Sequence, residues 1–124
     1  RKRGGMKQTV EEFNTYREEM NEKLLGASSK ILKRIYSVDS QAYKAGALDV
    51  PTKELLGLVA SAVLRCDDCV KYHLQKCFQE KITTAAVMEA LEIATVVGGT
   101  IVIPHLRKAY EFWEALEHQS EKEA

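Results

Sequence analysis

Apolar side chains recur every three or four residues almost throughout the chain, the spacing of amphipathic helices, and no alternating run flanked by turn residues predicts a strand. Thr9-Val10-Glu11-Glu12 has the form of a capping box, in which a hydroxyl and a carboxylate satisfy the free amides of a helix start. It predicts a first helix over residues 9 to about 25, with Gly26 as its stop and Val10, Phe13, Met20 and Leu24 as its face, broken by Arg17. A second helix follows Ser28 or Ser29, carries Ile31, Ile35, Val38, Ala42 and Ala45 on one stripe, and ends at Gly46. Asp49 and Thr52 cap a third, with Pro51 tolerated in its first turn, where its missing amide has no partner anyway. That helix is apolar nearly all round: Leu55, Leu56, Leu58, Val59, Ala60, Ala62, Val63, Leu64.

A fourth helix begins around Cys66 to Asp68 and ends near Glu80. Thr83 or Thr84 caps a fifth, again apolar on most faces, which runs through Val87, Leu91, Ala94 and Val97 to the Gly98-Gly99 stop. The last has Pro104 in its first turn and presents Val102, Leu106, Ala109, Trp113 and Leu116. Residues 1–8 and 119–124 are expected to fray. The expectation is one all-α domain of about six helices over residues 1–124. Two helices apolar on most faces are hard to bury in so short a chain, and a homo-oligomer is the simplest remedy.

Composition narrows the class. Apolar residues at 45% and charged residues at 29% describe a soluble globular protein. Lys plus Arg number 18 and Asp plus Glu 18, so nucleic-acid binding would need a local basic patch; the only tight run is Arg1, Lys2 and Arg3, followed by two glycines, which reads as a frayed terminus or an appended remnant. The longest stretch without Asp, Glu, Lys or Arg covers residues 93–106 and is interrupted by Gly98, Gly99 and Pro104, too short to span a membrane. No secretory signal is visible, so a cytoplasmic protein is expected, where closely spaced cysteines mean redox chemistry, metal binding or core packing.

The informative segment is Cys66-Asp67-Asp68-Cys69-Val70-Lys71-Tyr72-His73. On a helix, Cys66, Cys69 and His73 share one face. The two cysteines are near enough to close a short disulfide loop, the free amides of a helix start stabilise a thiolate, and a neighbouring imidazole can take its proton. Eight residues thus supply a nucleophile, a resolving partner and a base, while Asp67 and Asp68 oppose the thiolate. Cys77 extends the row to four metal-ligand types, but Cys66 and Cys77 would lie about 16 Å apart along one helix, whereas zinc–sulfur bonds are roughly 2.3 Å. Cys77 therefore reads as core, His105 as a surface or capping residue, Tyr72 as an exposed or interface aromatic, and Trp113 as core or oligomer contact. The plain alternative for the cysteine pair is two packed small hydrophobes.

Residues 47 to about 97 resemble the alkylhydroperoxidase D-like and carboxymuconolactone decarboxylase superfamily. The matching features are Leu48-Asp49 leading into Thr52-Lys53-Glu54-Leu55, twelve residues from Glu54 to Cys66, the Cys-x-x-Cys-x-x-x-His motif, and a capped helix from Thr83 containing Glu89-Ala90-Leu91. Residues 1–46 match only in being helical. The resemblance implies a helical-hairpin fold assembled as trimers or hexamers and, in the peroxidase branch, reduction of hydroperoxides by a cysteine pair regenerated by a lipoyl or thioredoxin-like dithiol donor, with no bound cofactor or metal. It makes Cys69 the thiol activated by His73, Cys66 its disulfide partner, and Glu54 the end of a proton relay through His73. Without the resemblance Glu54 is an ordinary first-turn carboxylate. Asp68 stands where these proteins often have His or Tyr, so a relay member at that place is missing and the peroxidase rate is the property affected; Lys81-Ile82-Thr83 replaces a frequent Gly-Ala-Thr. The alternatives are decarboxylation of a γ-carboxylated lactone, thiol–disulfide exchange with a partner, and a non-enzymatic helical oligomer.

Overall fold

The computed structural model describes residues 6–123, so the basic run at residues 1–3 lies outside the described residues. Six helices follow one another: α1 (Met6–Ala27), α2 (Lys30–Ala42), α3 (Val50–Val63), α4 (Asp67–Gln79), α5 (Thr84–Gly98) and α6 (Ile103–Glu123), with a 3₁₀ turn at Thr100–Val102 leading into the last. Among the described residues there is no β-strand. Three predicted caps stand where local chemistry puts them. Ser29, Asp49 and Thr83 have extended backbones, and their side chains accept from the amides of Ile31, Thr52 and Ala86.

Several ends differ from expectation. The helix is already running at Met6, so Thr9 does not start it, and Gly26 lies inside its last turn. The second helix stops at Ala42, short of Gly46, with Tyr43 as its cap. The polar residues after Gln119 do not leave the helix; α6 carries them on to Glu123 as a solvated extension. Helices α3 and α4 end without glycine. Arg65 (φ 61°) and Lys81 (φ 62°) take the left-handed conformation. Their amides reach Ala62 and Phe78, and those of Cys66 and Ile82 reach Ser61 and Cys77, the paired bonds of a Schellman close.

Helix α4 is the central element, packed between α3 and α6, with α5 behind α3 and α1 against α6. The core is Leu58, Ala62, Val70, Leu74, Cys77, Val87, Leu91, Phe112, Trp113 and Leu116 with their neighbours. Phe13 meets Phe112 edge-on, Phe78 meets Trp113 likewise, and the Trp113 indole N–H donates to Thr84, whose hydroxyl donates to Glu117. Phe112, fully buried, contributes about 1.5–3 kcal/mol through burial alone.

Two apolar faces remain uncovered in the single chain. Helix α2 has no buried residue, and its stripe of Ile31, Ile35 and Val38 faces outward. Between α3 and α5 runs a groove of about 650 Å³ lined by Leu55, Leu56, Val59, Val63, Leu64, Ile93 and Val97, and Val96 of α5 is also exposed. The buried stripe of α3 is not its leucine-rich side but Glu54, Gly57, Leu58, Ser61 and Ala62.

A lysine in left-handed conformation costs about 1–2 kcal/mol that glycine does not incur, partly offset by glycine's larger unfolded entropy. Lys81→Gly is therefore expected to raise the thermal unfolding midpoint, by about 2–4 °C, followed by circular dichroism; a lowered midpoint would contradict the cap assignment.

Candidate active site

Cys66 joins two helices. Its amide closes α3, and its sulfur caps α4, accepting from the Cys69 amide at 3.2 Å. The pair is present as a disulfide, with Cα atoms 5.3 Å apart. The cap places both sulfurs at the positive end of α4, the environment that favours a thiolate once the bond is reduced. Cys69 is exposed and Cys66 half-buried.

One turn on, His73 is 8% exposed and points at α3, where Glu54 is 4% exposed. His73 Nδ1 lies 2.8 Å from Glu54 Oε1. An ionised carboxylate only accepts, so Nδ1 carries the proton and Nε2 presents the lone pair. Nε2 in turn meets the Tyr43 hydroxyl at 3.3 Å. Tyr72 packs edge-on to the same ring at 5.3 Å, and the Arg17 guanidinium sits 4.5 Å above Tyr72.

These groups border a cleft of about 420 Å³ between α4, α1 and α2. Cys69, His73, Tyr72 and Asp68 line one wall, with Arg17, Asn21, Ile35, Tyr36, Asp39 and Ser40 opposite. Cys69 and His73 thus share an opening to solvent, whereas Cys66 and Glu54 stand behind them. Of the four residues singled out in the sequence, Cys66 is bonded to Cys69, Glu54 is bonded to His73, and Cys69 and His73 line the same cleft. Cys77 does not line the cleft: it is buried, and that burial, with the charges of Glu54 and Glu80, pushes its thiol up to about 12, so it stays protonated. Among the described residues no group of three or more His, Cys, Asp or Glu is placed to hold a metal ion.

His105 does more than face solvent. Its Nδ1 lies 2.7 Å from Asp67, and Lys108 reaches the other carboxylate oxygen at 3.1 Å. Burial alone would push the Asp67 carboxyl up, but hydrogen bonds and charge from His105 and Lys108 outweigh it and hold it below the usual carboxylate range. An acid that would otherwise oppose a thiolate in the first turn of α4 is thereby tied to α6.

Two residues escaped the sequence reading. Tyr43 comes from outside the motif, and Gly57 has no side chain to notice. A Cβ at Gly57 would fall 2.6 Å from His73 Cε1 and clash with the Tyr43 hydroxyl. The signal for Gly57 was present: glycine inside a helix costs about 1 kcal/mol relative to alanine, and close approach is the reason to keep it. Gly57→Ala is expected to retain α3 while destabilising the chain by about 1–3 kcal/mol through overpacking and displacing the His73 ring. Imidazole NMR shifts of His73 unchanged from the parent would contradict this.

No helix among the described residues is long and apolar enough to cross a membrane. Similar proteins agree with the architecture. A structure of TM1620 from Thermotoga maritima superposes with a TM-score of 0.87 at 52% identity, covering 90% of this chain and 97% of that one. A second structure of that protein (TM-score 0.86, 51% identity, 90% and 94% covered) describes it as a "carboxymuconolactone decarboxylase family protein possibly involved in antioxidative response". Apo-lpg0406 of Legionella pneumophila, a carboxymuconolactone decarboxylase family protein, gives a TM-score of 0.57 at 30% identity over 91% of both chains. "Uncharacterized protein 4 in cox locus" of Paracoccus denitrificans is 26% identical over 83 residues, 67% of this chain and 75% of that protein. The model of the carboxymuconolactone decarboxylase family matches residues 30–112, which include both cysteines, His73, Glu54 and Tyr43. With its helical order, its Cys-x-x-Cys helix start and that match, the chain belongs to the carboxymuconolactone decarboxylase family.

Proposed function

We propose that the protein is a dithiol peroxidase that reduces hydroperoxides through Cys66 and Cys69. The observation that carries this is the Cys66–Cys69 pair at the start of α4, with the His73–Glu54 hydrogen bond one turn away. In the reduced enzyme the Cys69 proton passes to His73, and the thiolate attacks the terminal oxygen of the hydroperoxide. The O–O bond breaks, Cys69 becomes a sulfenic acid, and the leaving alkoxide takes the proton from His73 to depart as an alcohol. The Cys66 thiol then attacks the sulfenic sulfur, water leaves, and the disulfide forms. An external dithiol, lipoyl or thioredoxin-like, returns two electrons and two protons and is itself oxidised. Cys69 is assigned the attack because it lines the cleft and Cys66 does not. The similar Thermotoga maritima protein, described in connection with an antioxidative response, supports an antioxidant role.

Purified reduced protein should consume cumene hydroperoxide in the presence of a dithiol donor and accumulate the Cys66–Cys69 disulfide, seen as a two-dalton loss by mass spectrometry. Cys69→Ser should lower turnover by about a thousandfold or more. Full turnover in that variant would sink the reading, and loss of a γ-carboxylated lactone that survives alkylation of the thiols would favour decarboxylation instead.

The same reading includes self-association. The α3–α5 groove and the outward stripe of α2 leave large apolar side chains in water, with Leu64 at 76%, Val96 at 82% and Val97 at 68% exposure. A second copy of the chain supplies a surface of matching character, and a trimer or hexamer is the assembly expected from the resemblance. Light scattering should return a multiple of the 14.0 kDa chain mass, and Val96→Glu combined with Leu64→Glu should reduce it. A monomer at micromolar concentration would contradict this.

A further inference from the structure

With Nδ1–H committed to Glu54, the chemistry of His73 depends on what meets Nε2, and that group is the Tyr43 hydroxyl at 3.3 Å. The two rings lie 5.3 Å apart at 37°, and the bare backbone of Gly57 is what admits both. Resting on the thiol reading above, we propose that Tyr43 is a positioning residue for the proton step at Cys69: its hydroxyl donates to Nε2 of the neutral His73 ring, rotates its O–H away to free that lone pair for the thiol proton, and then accepts from the Nε2–H so formed.

A hydroxyl has one proton to give and two lone pairs to offer, so it serves both states of the ring by rotating about one bond. The two states are not served equally. A hydrogen bond to an ionised partner is roughly twice as strong as one between neutral groups. Tyr43 therefore favours the protonated ring, and with it the thiolate. The role requires Tyr43 itself to keep its proton. Burial does that first, followed by the charges of Glu54 and Asp39, which together hold its ionisation above the ordinary tyrosine value.

The other charged and titratable groups around the ring come from every neighbouring element. Glu54 approaches from α3, Cys69 and Tyr72 from α4, and Cys77 lies deeper on α4. Asp68 and Asp39 line the cleft from α4 and α2. Arg17 of α1 and Lys76 of α4 lie over the Tyr72 ring at 4.5 and 5.5 Å. Among the described residues only Glu54 and Tyr43 bond a nitrogen of His73.

The test is the pH dependence of iodoacetamide alkylation of the reduced protein, resolved for Cys66 and Cys69 by peptide mass. It is run on the parent, Tyr43→Phe, His73→Ala and the double variant. The Cys69 midpoint is expected to rise by about 0.5–1 pH unit in Tyr43→Phe, to rise further in His73→Ala, and to gain nothing more in the double variant. A shift in His73→Ala with none in Tyr43→Phe, or a Tyr43→Phe shift that persists undiminished without His73, overturns the proposal and leaves the thiol reading standing. Parent-like behaviour of His73→Ala overturns both. Phenylalanine keeps the ring contact; should the variant nevertheless fold poorly, the ¹⁵N shift of Nε2 in the reduced parent decides, and a free lone-pair value there overturns the proposal.

Discussion

A buried carboxylate and a buried imidazole on neighbouring helices set the conditions for everything else. Each is costly to desolvate alone, and the 2.8 Å hydrogen bond between them is what makes the burial tolerable. The bond fixes the rotation of α4 against α3 as well as the tautomer of the ring. That rotation buries the side of α3 that carries Glu54, Gly57, Leu58 and Ser61 and leaves Leu55 and Leu56 in the groove outside. The polar pair thus decides which side of an apolar helix becomes core and which becomes available to a partner.

Legibility in the sequence follows the range of the interactions. Asp49 and Thr83 cap helices through bonds three residues long, and such bonds leave a mark in composition, so α3 and α5 begin where expected. The Schellman closes at Arg65 and Lys81 left none, because neither is the glycine that ordinarily marks a left-handed close. The capping box at Thr9 misled for the opposite reason: the pattern is present, but the helix begins upstream of it. Hydrophobic counting on α3 identified a helix and could not orient it, since a glutamate, a glycine and a serine fill the buried stripe.

The candidate site divides the same way. Cys66, Cys69 and His73 are legible because helical periodicity alone aligns them. Glu54 needed the resemblance, since its partner is nineteen positions away on another helix. Tyr43 was silent because its role exists only where three segments meet, whereas Gly57 left a mark, a glycine inside a helix, whose reason appears only in the packed structure. His105 looked like a surface or capping residue, and its reach across to Asp67 is a tertiary contact between α6 and α4.

Cys66 gives the backbone a stake in the covalent chemistry. One atom, its sulfur, both holds the amide of Cys69 and belongs to the disulfide that the proposed cycle would make and break. Reduction to a thiol leaves that sulfur able to accept but removes the bond to Cys69 that holds it in place. The winding of the first turn of α4 is therefore coupled to the oxidation state of the pair, and solvent exchange at a single peptide group becomes a gauge of electrons gained or lost.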